Sequence, residues 1–379
     1  MKKLTDICDI QYGYAFDSKK FTEDNSYPPI VRIRDIKRGF SETYYSGEYP
    51  KQYVLHAGDL LVGMDGEFNI ARWKDVDALL NQRVCKLTAK EGTNEEYLRF
   101  AMIKSLKAIE DKTAFVTVKH LSAKELNKLE LNVPSFREQD NVAKILTKLE
   151  KLILLREEEL KSLDKIIKAR FVEMFGDVKI NPHNYKKFSI KSVLKSCEAG
   201  WSGNGTQRIR KDDEIAVLKV SAVTKGYFIP EECKVLDDQE NIKKYVIPEK
   251  GDLLFSRANT REMVGATAIV KEDYPSLILP DKLWKIKFKD NVNVIYMKYI
   301  LSSKSVRNQF SAVSTGTSGS MYNVSMDQFK GIEIPIPPIE LQNQFADFVR
   351  AVDKSKVAVQ RALDETQLLF DSLMQKYFG

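Results

Sequence analysis

The chain carries an internal duplication, and this feature limits its possible folds more than any other. Residues 134–176 begin Pro-Ser-Phe-Arg-Glu-Gln and end Met-Phe-Gly, and residues 337–379, placed 203 positions later, begin Pro-Pro-Ile-Glu-Leu-Gln and end Tyr-Phe-Gly. A duplicated unit predicts two similar substructures related by a pseudo-two-fold axis. A natural target for such a molecule has two related halves itself, and duplex DNA is the first candidate.

The residues before these two segments also repeat, although more loosely. Four further pairs of segments align, namely 31–40 with 218–227, 57–62 with 250–255, 80–87 with 279–286, and 94–99 with 293–298. The apolar framework positions match within each pair, whereas the residues between them differ. This pattern indicates one scaffold that presents two different surfaces.

Each repeated C-terminal segment has the apolar spacing of a long amphipathic helix. In the first copy the spacing of seven from Leu146 to Met174 is unbroken, and in the second copy apolar residues recur from Phe345 to Tyr377. At about 1.5 Å of rise per residue, each segment predicts a rod of roughly 50 to 60 Å. Neither rod has a core of its own, so we expect the two to pack antiparallel as a coiled coil. Arg156 and Lys356 interrupt the apolar seams, and they either fix the register or face solvent.

The residues before each helix predict a globular domain of strands and short helices. Strand-like runs separated by Gly, Asp and Asn turns occur at 30–33, 60–62, 217–220, 253–255 and 332–336, and helices are expected at 97–107 and 294–301. The predicted fold class is therefore α/β (α+β), with two globular domains separated by two long helices in an internal repeat. The predicted segments are a first domain at 1–136, a central helix at 137–176, a second domain at 177–336 and a distal helix at 337–379.

Composition narrows the class of protein further. The chain has 379 residues, 43% of them hydrophobic, which is enough for two to three domains with cores of their own. No stretch approaches the roughly 20 apolar residues needed to span a bilayer, so we expect a cytoplasmic protein without membrane contact. The four cysteines form no Cys-x-x-Cys pair and the three histidines are far apart, which argues against a disulfide framework and a metal site. The net charge of +7 permits nucleic-acid binding.

The ordered set of motifs, present twice, resembles the specificity subunit of type I restriction-modification systems. The motifs are a proline-rich strand end that leads through Glu-Gln or Leu-Gln into a long helix, and a Gly-Asp-Leu-Leu strand about 80 residues earlier. The resemblance covers essentially the whole chain. It implies two target recognition domains that each read one half of a split DNA site, and a helical spacer that docks methyltransferase subunits. It also implies an asymmetric bipartite site, because the two domains differ in sequence.

We expect Lys and Arg side chains to supply affinity at phosphates and a few side chains to discriminate base edges. A rigid helical spacer would place the two reading sites on one side of the duplex, about one helical turn or 34 Å apart. The predicted DNA-binding residues of the first domain are Arg32, Arg34, Lys37, Arg38, Asn69, Arg72, Lys119 and His120. Those of the second domain are Lys219, Lys225, Arg257, Asn259, Arg261, Thr317, Ser318, Ser320 and Tyr322.

Two of these groups carry particular expectations. Arg257, Asn259 and Arg261 follow the second Gly-Asp-Leu-Leu strand directly, and Arg and Asn are the usual partners of guanine and adenine. The equivalent loop of the first copy, 63–67, has no basic residue, so we expect the two domains to use this loop differently. The cluster of Arg32, Arg34, Lys37 and Arg38 is expected at a turn, where it binds DNA or is simply a solvated strand end.

The sequence favours a protein that is not itself an enzyme. It lacks the Asn/Asp/Ser-Pro-Pro-aromatic motif of an adenine methyltransferase and the phosphate-binding loop of a motor. The aspartates of the Gly-Asp turns, Asp59 and Asp252, have a sufficient structural role there. S-adenosylmethionine, ATP and Mg are therefore expected on partners, which are two methyltransferase subunits and, for cleavage, restriction subunits. Two alternatives remain, a helical scaffold without DNA readout and a nuclease with a diverged site such as Asp281 with Lys285.

Overall fold

The computed structural model describes residues 1–66, 68–112, 120–211, 214–315 and 322–379. The chain divides into two compact units: unit 1 comprises Met1–Glu158 and Gln360–Gly379, and unit 2 comprises Glu159–Val359. Each long helix therefore contributes one half to each unit. This division differs from the four segments predicted from sequence, because each half-helix packs on the globular part of its own unit.

Unit 1 is built from eleven short strands and four short helices, followed by the long helix α5, within the described part of the chain. The strands are β1 (Lys2–Lys3), β2 (Cys8–Tyr12), β3 (Phe21–Thr22), β4 (Ile30–Val31), β5 (Tyr44–Tyr45), β6 (Val54–Leu55), β7 (Leu60–Gly63), β8 (Ile70–Arg72), β9 (Ala78–Leu80), β10 (Val84–Ala89) and β11 (Glu130–Leu131). The helices are α1 (Leu4–Ile7), α2 (Ile33–Arg38), α3 (Glu95–Lys112), α4 (Ala123–Lys128) and α5 (Phe136–Phe175).

A four-stranded antiparallel sheet of order β2-β10-β7-β8 forms the centre of unit 1. A second sheet of order β4-β9-β6 has one parallel pair, β4 with β9. The apolar face of β7 and β10 packs under α3 and the start of α5, in a core that includes Leu60, Leu87, Phe100 and Leu146. Burial of these side chains is the main source of stability for the unit.

Unit 2 repeats this plan with its own additions. Its strands are β12 (Lys187–Ser189), β13 (Leu194–Ala199), β14 (Gly205–Thr206), β15 (Ala216–Leu218), β16 (Cys233–Leu236), β17 (Leu253–Ser256), β18 (Ala258–Asn259), β19 (Thr267–Ile269), β20 (Leu277–Ile278), β21 (Leu283–Phe288), β22 (Tyr322–Asn323) and β23 (Glu333–Pro335). Its helices are α6 (Ile190–Val193), α7 (Ser221–Thr224), α8 (Val294–Leu301), α9 (Lys304–Val313), α10 (Met326–Gly331) and α11 (Ile339–Phe378).

The sheets of unit 2 correspond to those of unit 1. Order β13-β21-β17-β19 matches the central sheet of unit 1, and order β14-β16-β15-β20 again contains one parallel pair, β15 with β20. The mixed α/β content and the repeat predicted from sequence are thus present. The core centres on Phe255, Trp284, Phe310 and Phe329, with Phe345 from α11.

The first basic cluster lies on a helix, which corrects the expectation of a turn and of a strand reaching residue 33. Strand β4 ends at Val31, and α2 begins at Ile33. An Asp35 carboxylate oxygen accepts a hydrogen bond from the Arg32 backbone N–H at 2.9 Å, which caps the helix start. Gly39, with a φ of 78°, ends the helix in the left-handed conformation.

The Gly-Asp turns have the structural role predicted for them, and in the same way in both units. Asp59 accepts a hydrogen bond from the backbone N–H of the residue three positions earlier, and it forms an ion pair with Lys86 at 2.9 Å. Asp252 likewise accepts the N–H three residues earlier and lies 3.2 Å from Lys285. Each aspartate therefore ties its turn to the central strand of the sheet, β10 or β21.

The two long helices contact each other within each unit. In unit 1 the Arg156 guanidinium donates to the Ala362 carbonyl and to Thr366 Oγ1. In unit 2 Lys356 pairs with Asp164 at 2.6 Å. Both basic residues therefore face the other helix, which supports a role in register over simple exposure to solvent.

A buried glutamine fixes the start of each long helix to the body of its unit. Gln139 donates to the carbonyl of the proline five residues earlier at 2.9 Å and accepts the Asn94 N–H at 2.9 Å. Gln342 makes the same two bonds, at 2.7 Å to the proline carbonyl and 2.8 Å from the Asn293 N–H. Both amides are almost fully buried, so every bond they lose would leave a buried polar group unsatisfied.

Among the described residues, no helix combines the length and apolarity required to cross a membrane. In the same ranges, no group of three or more His, Cys, Asp or Glu residues is arranged to hold a metal ion. The four cysteines are free thiols, and burial raises the pKa of Cys8 and of Cys85 to about 12.

Candidate DNA-binding surfaces

The loop after strand β7 lies between two other segments of unit 1 and forms a polar edge with them. The Met64 N–H donates to the Arg83 carbonyl at 2.9 Å, and the Leu121 N–H donates to the Met64 carbonyl at 2.7 Å. These bonds bring Asp65, Arg83 and His120 together, and we call these three residues edge 1. Sequence reasoning identified only His120 of the three.

The loop after strand β17 has the same backbone framework in unit 2. The Arg257 N–H donates to the Lys282 carbonyl at 3.0 Å, and the Val324 N–H donates to the Arg257 carbonyl at 2.9 Å. We call the residues gathered there edge 2, and they are Arg257, Asn259, Arg261, Asp281 and Tyr322. All but Asp281 are predicted DNA-binding residues.

Edge 1 is a charged cluster open to solvent. Arg83 Nε lies 3.4 Å from an Asp65 carboxylate oxygen, and Arg83 Nη1 lies 3.3 Å from His120 Nδ1. His120 Nδ1 also contacts the Asp65 carboxylate. The Arg83 side chain is 53% exposed, so most of its N–H donors remain accessible to a ligand. A signal for Arg83 was present in the sequence, because it aligns with the basic Lys282 of the second copy.

Edge 2 combines an ion pair with an aromatic platform. Arg257 Nε donates to the Asp281 carbonyl at 3.0 Å, and its Nη2 lies 3.3 Å from an Asp281 carboxylate oxygen. The Arg261 guanidinium lies 5.8 Å from the centre of the Tyr322 ring. Asn259 pairs with Tyr322 through the backbone, and its Nδ2 has no hydrogen-bond partner within the described ranges. Edge 2 therefore offers the Arg257 and Arg261 donors to a ligand, whereas the Asn259 amide nitrogen is buried.

Helix α2 places further basic residues near the end of β7. A Cβ built on Gly63 would lie 3.1 Å from Ile33 Cγ2, so this glycine permits the close packing of α2 on the strand. Arg34 and Lys37 are exposed on α2. Arg38 pairs with Glu42 at 2.7 Å and is also exposed. These side chains are suited to phosphate contacts, which need charge and reach more than fixed geometry.

Several predicted residues are bound by groups of the protein itself. Arg72 pairs with Glu95 at 2.7 Å, contacts Glu96 and donates to the Gly58 carbonyl at 2.6 Å. Arg32 donates to Thr43, and Lys219 pairs with Glu232 at 2.7 Å. Direct contact of these three side chains with DNA stays a prediction. Each would have to leave its present partner in the protein before it could bind DNA.

The remaining predicted residues have simpler surroundings or lie outside the description. Asn69 is half-buried, and its carbonyl accepts the Gly63 N–H at 2.9 Å. Lys225 is exposed at the end of α7. Lys119, Thr317, Ser318 and Ser320 lie outside the residues that the structure describes.

The suggested nuclease pair, Asp281 with Lys285, is not formed. The Asp281 carboxylate contacts Arg257 and Ser202. Lys285 instead pairs with Glu249 at 2.7 Å and with Asp252 at 3.2 Å. The two side chains therefore belong to different clusters of contacts.

Comparisons with known proteins agree with the duplicated architecture. The family model described as type I restriction modification DNA specificity domain matches residues 1–165 and 182–366. The type I restriction enzyme EcoBI specificity subunit of Escherichia coli is 27% identical over 404 residues, covering 99% of this chain and 84% of that protein. The MjaVIII specificity subunit of Methanocaldococcus jannaschii is 21% identical, covering 87% of this chain and 80% of that protein.

Solved structures share the fold. The S subunit of a type I restriction-modification system from M. genitalium matches with a TM-score of 0.59 at 13% identity, covering 100% of this chain and 95% of that chain. A chain from a structure on complex assembly and conformational transition of the type I R-M system matches with a TM-score of 0.55 at 16% identity, covering 100% and 96%. With two copies of the family's domain along its length, this chain belongs to the type I restriction modification DNA specificity domain family.

Proposed function

We propose that the chain is the DNA sequence-recognition subunit of a type I restriction-modification complex and reads an asymmetric bipartite site. The observation that carries the proposal is the pair of edges, which share one backbone framework but present different side chains. Membership of the DNA specificity family supplies the target class. Two equivalent frameworks with different side chains suit a target whose two halves differ in sequence.

The chemistry of the edges is suited to base readout. Arginine presents a fork of donors that matches the O6 and N7 acceptors of guanine, and asparagine matches the N6 and N7 groups of adenine. Edge 2 holds both residue types, with the Asn259 amide nitrogen buried and the arginines accessible, and edge 1 holds Arg83 beside a carboxylate. The exposed basic residues of α2 would contact phosphates and fix the orientation of unit 1 on the duplex.

In this proposal α5 and α11 act as a spacer that pairs along its length as a coiled coil. The contacts between the two helices within each unit support it, since the basic residues Arg156 and Lys356 face the opposite helix. A spacer that is rigid would keep the unread gap of the DNA site constant. The length of the unread gap would then depend on the length of the helices, whereas the sequences of the two half-sites would not depend on it.

The same helices are proposed to dock two methyltransferase subunits, with restriction subunits added for cleavage. Support comes from large apolar side chains that α5 and α11 leave exposed, since such side chains favour protein contacts. They are Phe136, Ile145, Leu152, Leu154, Leu155, Ile166, Val172, Val357, Leu368 and Leu369. The chain itself would be non-catalytic and act in the cytoplasm, and S-adenosylmethionine, ATP and Mg would bind the partner subunits.

We expect a Leu154→Glu variant to weaken assembly with the methyltransferase at least 10-fold, because Leu154 is 54% exposed and a buried glutamate is costly to desolvate. Isothermal titration of the purified subunits measures this. Lys124→Glu is the control, since it adds the same group at an exposed helical position on α4, outside the two long helices. Equal affinity for wild type and Leu154→Glu would place the docking surface elsewhere.

Salt dependence separates DNA readout from the scaffold alternative. We expect the assembled complex to bind DNA with an affinity that falls steeply as salt rises from 50 to 200 mM, because phosphate contacts release counterions. Replacing Arg34 and Lys37 with alanine should make the plot of log affinity against log salt concentration less steep, by the amount expected for the loss of about two phosphate contacts. Fluorescence anisotropy with a labelled duplex measures both slopes. Salt-independent binding, or none, would favour the scaffold.

A further inference from the structure

We propose that Arg83 of unit 1 and Arg257 of unit 2 each read a guanine, and that a carboxylate from the neighbouring loop orients each guanidinium. This inference deepens the proposed function and rests on it. The carboxylates are Asp65 for Arg83 and Asp281 for Arg257. Asp65 and Asp281 are positioning residues, because they act through the arginine.

The two ion pairs lie at equivalent places in the two units, but the acidic and the basic residue have changed sides between them. In unit 1 the carboxylate follows β7 and the arginine precedes β10. In unit 2 the arginine follows β17 and the carboxylate precedes β21. The loop 63–67 lacks a basic residue, and the adjacent turn supplies one. A guanidinium held by a carboxylate is therefore retained at both edges although the sequences differ.

Stability alone does not account for the pair of Arg83 with Asp65. The Arg83 side chain is 53% exposed, and exposed ion pairs contribute only about 0–1 kcal/mol to folding. The Asp65 carboxylate contacts Nε, and the His120 ring faces Nη1. The guanidinium retains further N–H donors on its outer side, which is the arrangement needed to bind two acceptors on a base edge.

The backbone at Arg83 supports a role beyond packing. Its φ of 71° lies in the left-handed region, where a residue with a Cβ costs roughly 1–2 kcal/mol. The other described non-glycine residues with positive φ are Asn181 and Asn184, and asparagine tolerates this conformation well. Glycine would be the favourable residue at position 83 for stability. A strained arginine held by the Met64 hydrogen bond is typical of a functional position.

The test is a map of methylated sites for the assembled methyltransferase complex with Arg83→Lys, Arg83→Gly or Arg257→Lys. Lysine keeps the charge but cannot make the bidentate contact, so it separates base readout from a phosphate contact. We expect each variant to lose discrimination at one G·C pair, by about 5- to 150-fold in relative methylation rate. The Arg83 variants should relax one half-site and Arg257→Lys the other.

The Arg83→Gly variant tests whether a loss of specificity comes from the missing arginine or from a destabilised fold. Glycine adopts the left-handed conformation freely, so the melting temperature of this variant should equal or exceed that of the wild type while its specificity is lost. Arg350→Lys is the control, because Arg350 is an exposed arginine on α11 that pairs with Asp347 of the same helix. It should leave the methylated motif unchanged.

The outcomes distinguish this inference from the proposed function. A wild-type complex that methylates no split motif contradicts the proposed function itself. A split motif that Arg83→Lys and Arg257→Lys leave intact overturns the inference alone. A uniform loss of methylation at all sites, without relaxation at one position, would also overturn it, because it would assign both arginines to phosphates.

Discussion

Replacing Phe345 with alanine is expected to lower the free energy of unfolding of unit 2 by about 3–5 kcal/mol. The Phe345 ring is fully buried, and its centre lies 5.4 Å from that of Phe171, 5.6 Å from that of Phe175 and 5.2 Å from that of Tyr299. It thus joins α11 to α5 and to α8 within unit 2. The variant loses the transfer free energy of the ring and leaves a cavity where these elements meet.

Calorimetric unfolding of the full chain measures this loss. Phe348→Ala is the matched control, since Phe348 lies on the same helix but is only half-buried, with Arg170 over its ring at 5.8 Å. The control should cost much less than Phe345→Ala. Equal effects of the two variants would mean that α11 is not held to unit 2 through the Phe345 ring.

The second large effect is expected at Arg99, which ties α3 to α5 in unit 1. Its Nη1 and Nη2 donate to the two Glu150 carboxylate oxygens at 3.0 and 2.6 Å, and its Nε donates to Glu96 at 2.8 Å. Arg99→Met should lower the free energy of unfolding by about 2–4 kcal/mol, because the arginine is only 10% exposed and loses its bidentate pair with the partly exposed Glu150 as well as its bond to Glu96. Urea unfolding measures it, with Arg361→Met on the exposed face of α11 as a near-neutral control.

Lys298 is the residue of unit 2 that aligns with Arg99. Replacing it with methionine should raise the free energy of unfolding, whereas Arg99→Met should lower it. Burial lowers its pKa to about 8 from the ordinary 10.5, although the carboxylates of Asp353 and Asp164 favour the charge and Lys356 and Lys168 oppose it. Below pH 8 the folded protein therefore holds a charge in an unfavourable place. Lys298→Met should stabilise unit 2 by about 1–3 kcal/mol at pH 7.

The sign follows from proton linkage. Between pH 8 and 10.5 the unfolded chain binds more protons at Lys298 than the folded chain does, so wild-type stability rises with pH across this window. The advantage of Lys298→Met should accordingly shrink over the same window. Destabilisation by Lys298→Met at pH 7 would contradict a buried, penalised lysine and indicate a paired one.

The long helices and the Gly-Asp turns could be predicted from the sequence, because they depend on local and periodic patterns of residues. Apolar spacing of seven marks the long helices, which the structure bounds at Phe136–Phe175 and Ile339–Phe378. The Gly-Asp turns were correctly interpreted as structural, because a turn aspartate has nearby backbone donors to bind. The duplication added a second, independent instance of each signal.

The polar edges were only partly predictable, because they arise from segments far apart in sequence. Asp65 and Arg83 are brought together by the pairing of β7 with β10, and nothing local to either residue indicates the other. The basic cluster at α2 was predicted at a turn because its β-branched residues suggested a strand. Asp35 and Gly39 supplied the helix start and stop signals that were overlooked.

In the proposed function, this chain gives a DNA methyltransferase its sequence specificity. The most direct test is a map of methylated adenines in cells that express the chain with its methyltransferase partner, compared with cells that express the partner alone. Cells that express both proteins are expected to show a new split motif with two different halves and a fixed unread gap. No new methylation, with the two proteins shown to be folded and assembled, would contradict it.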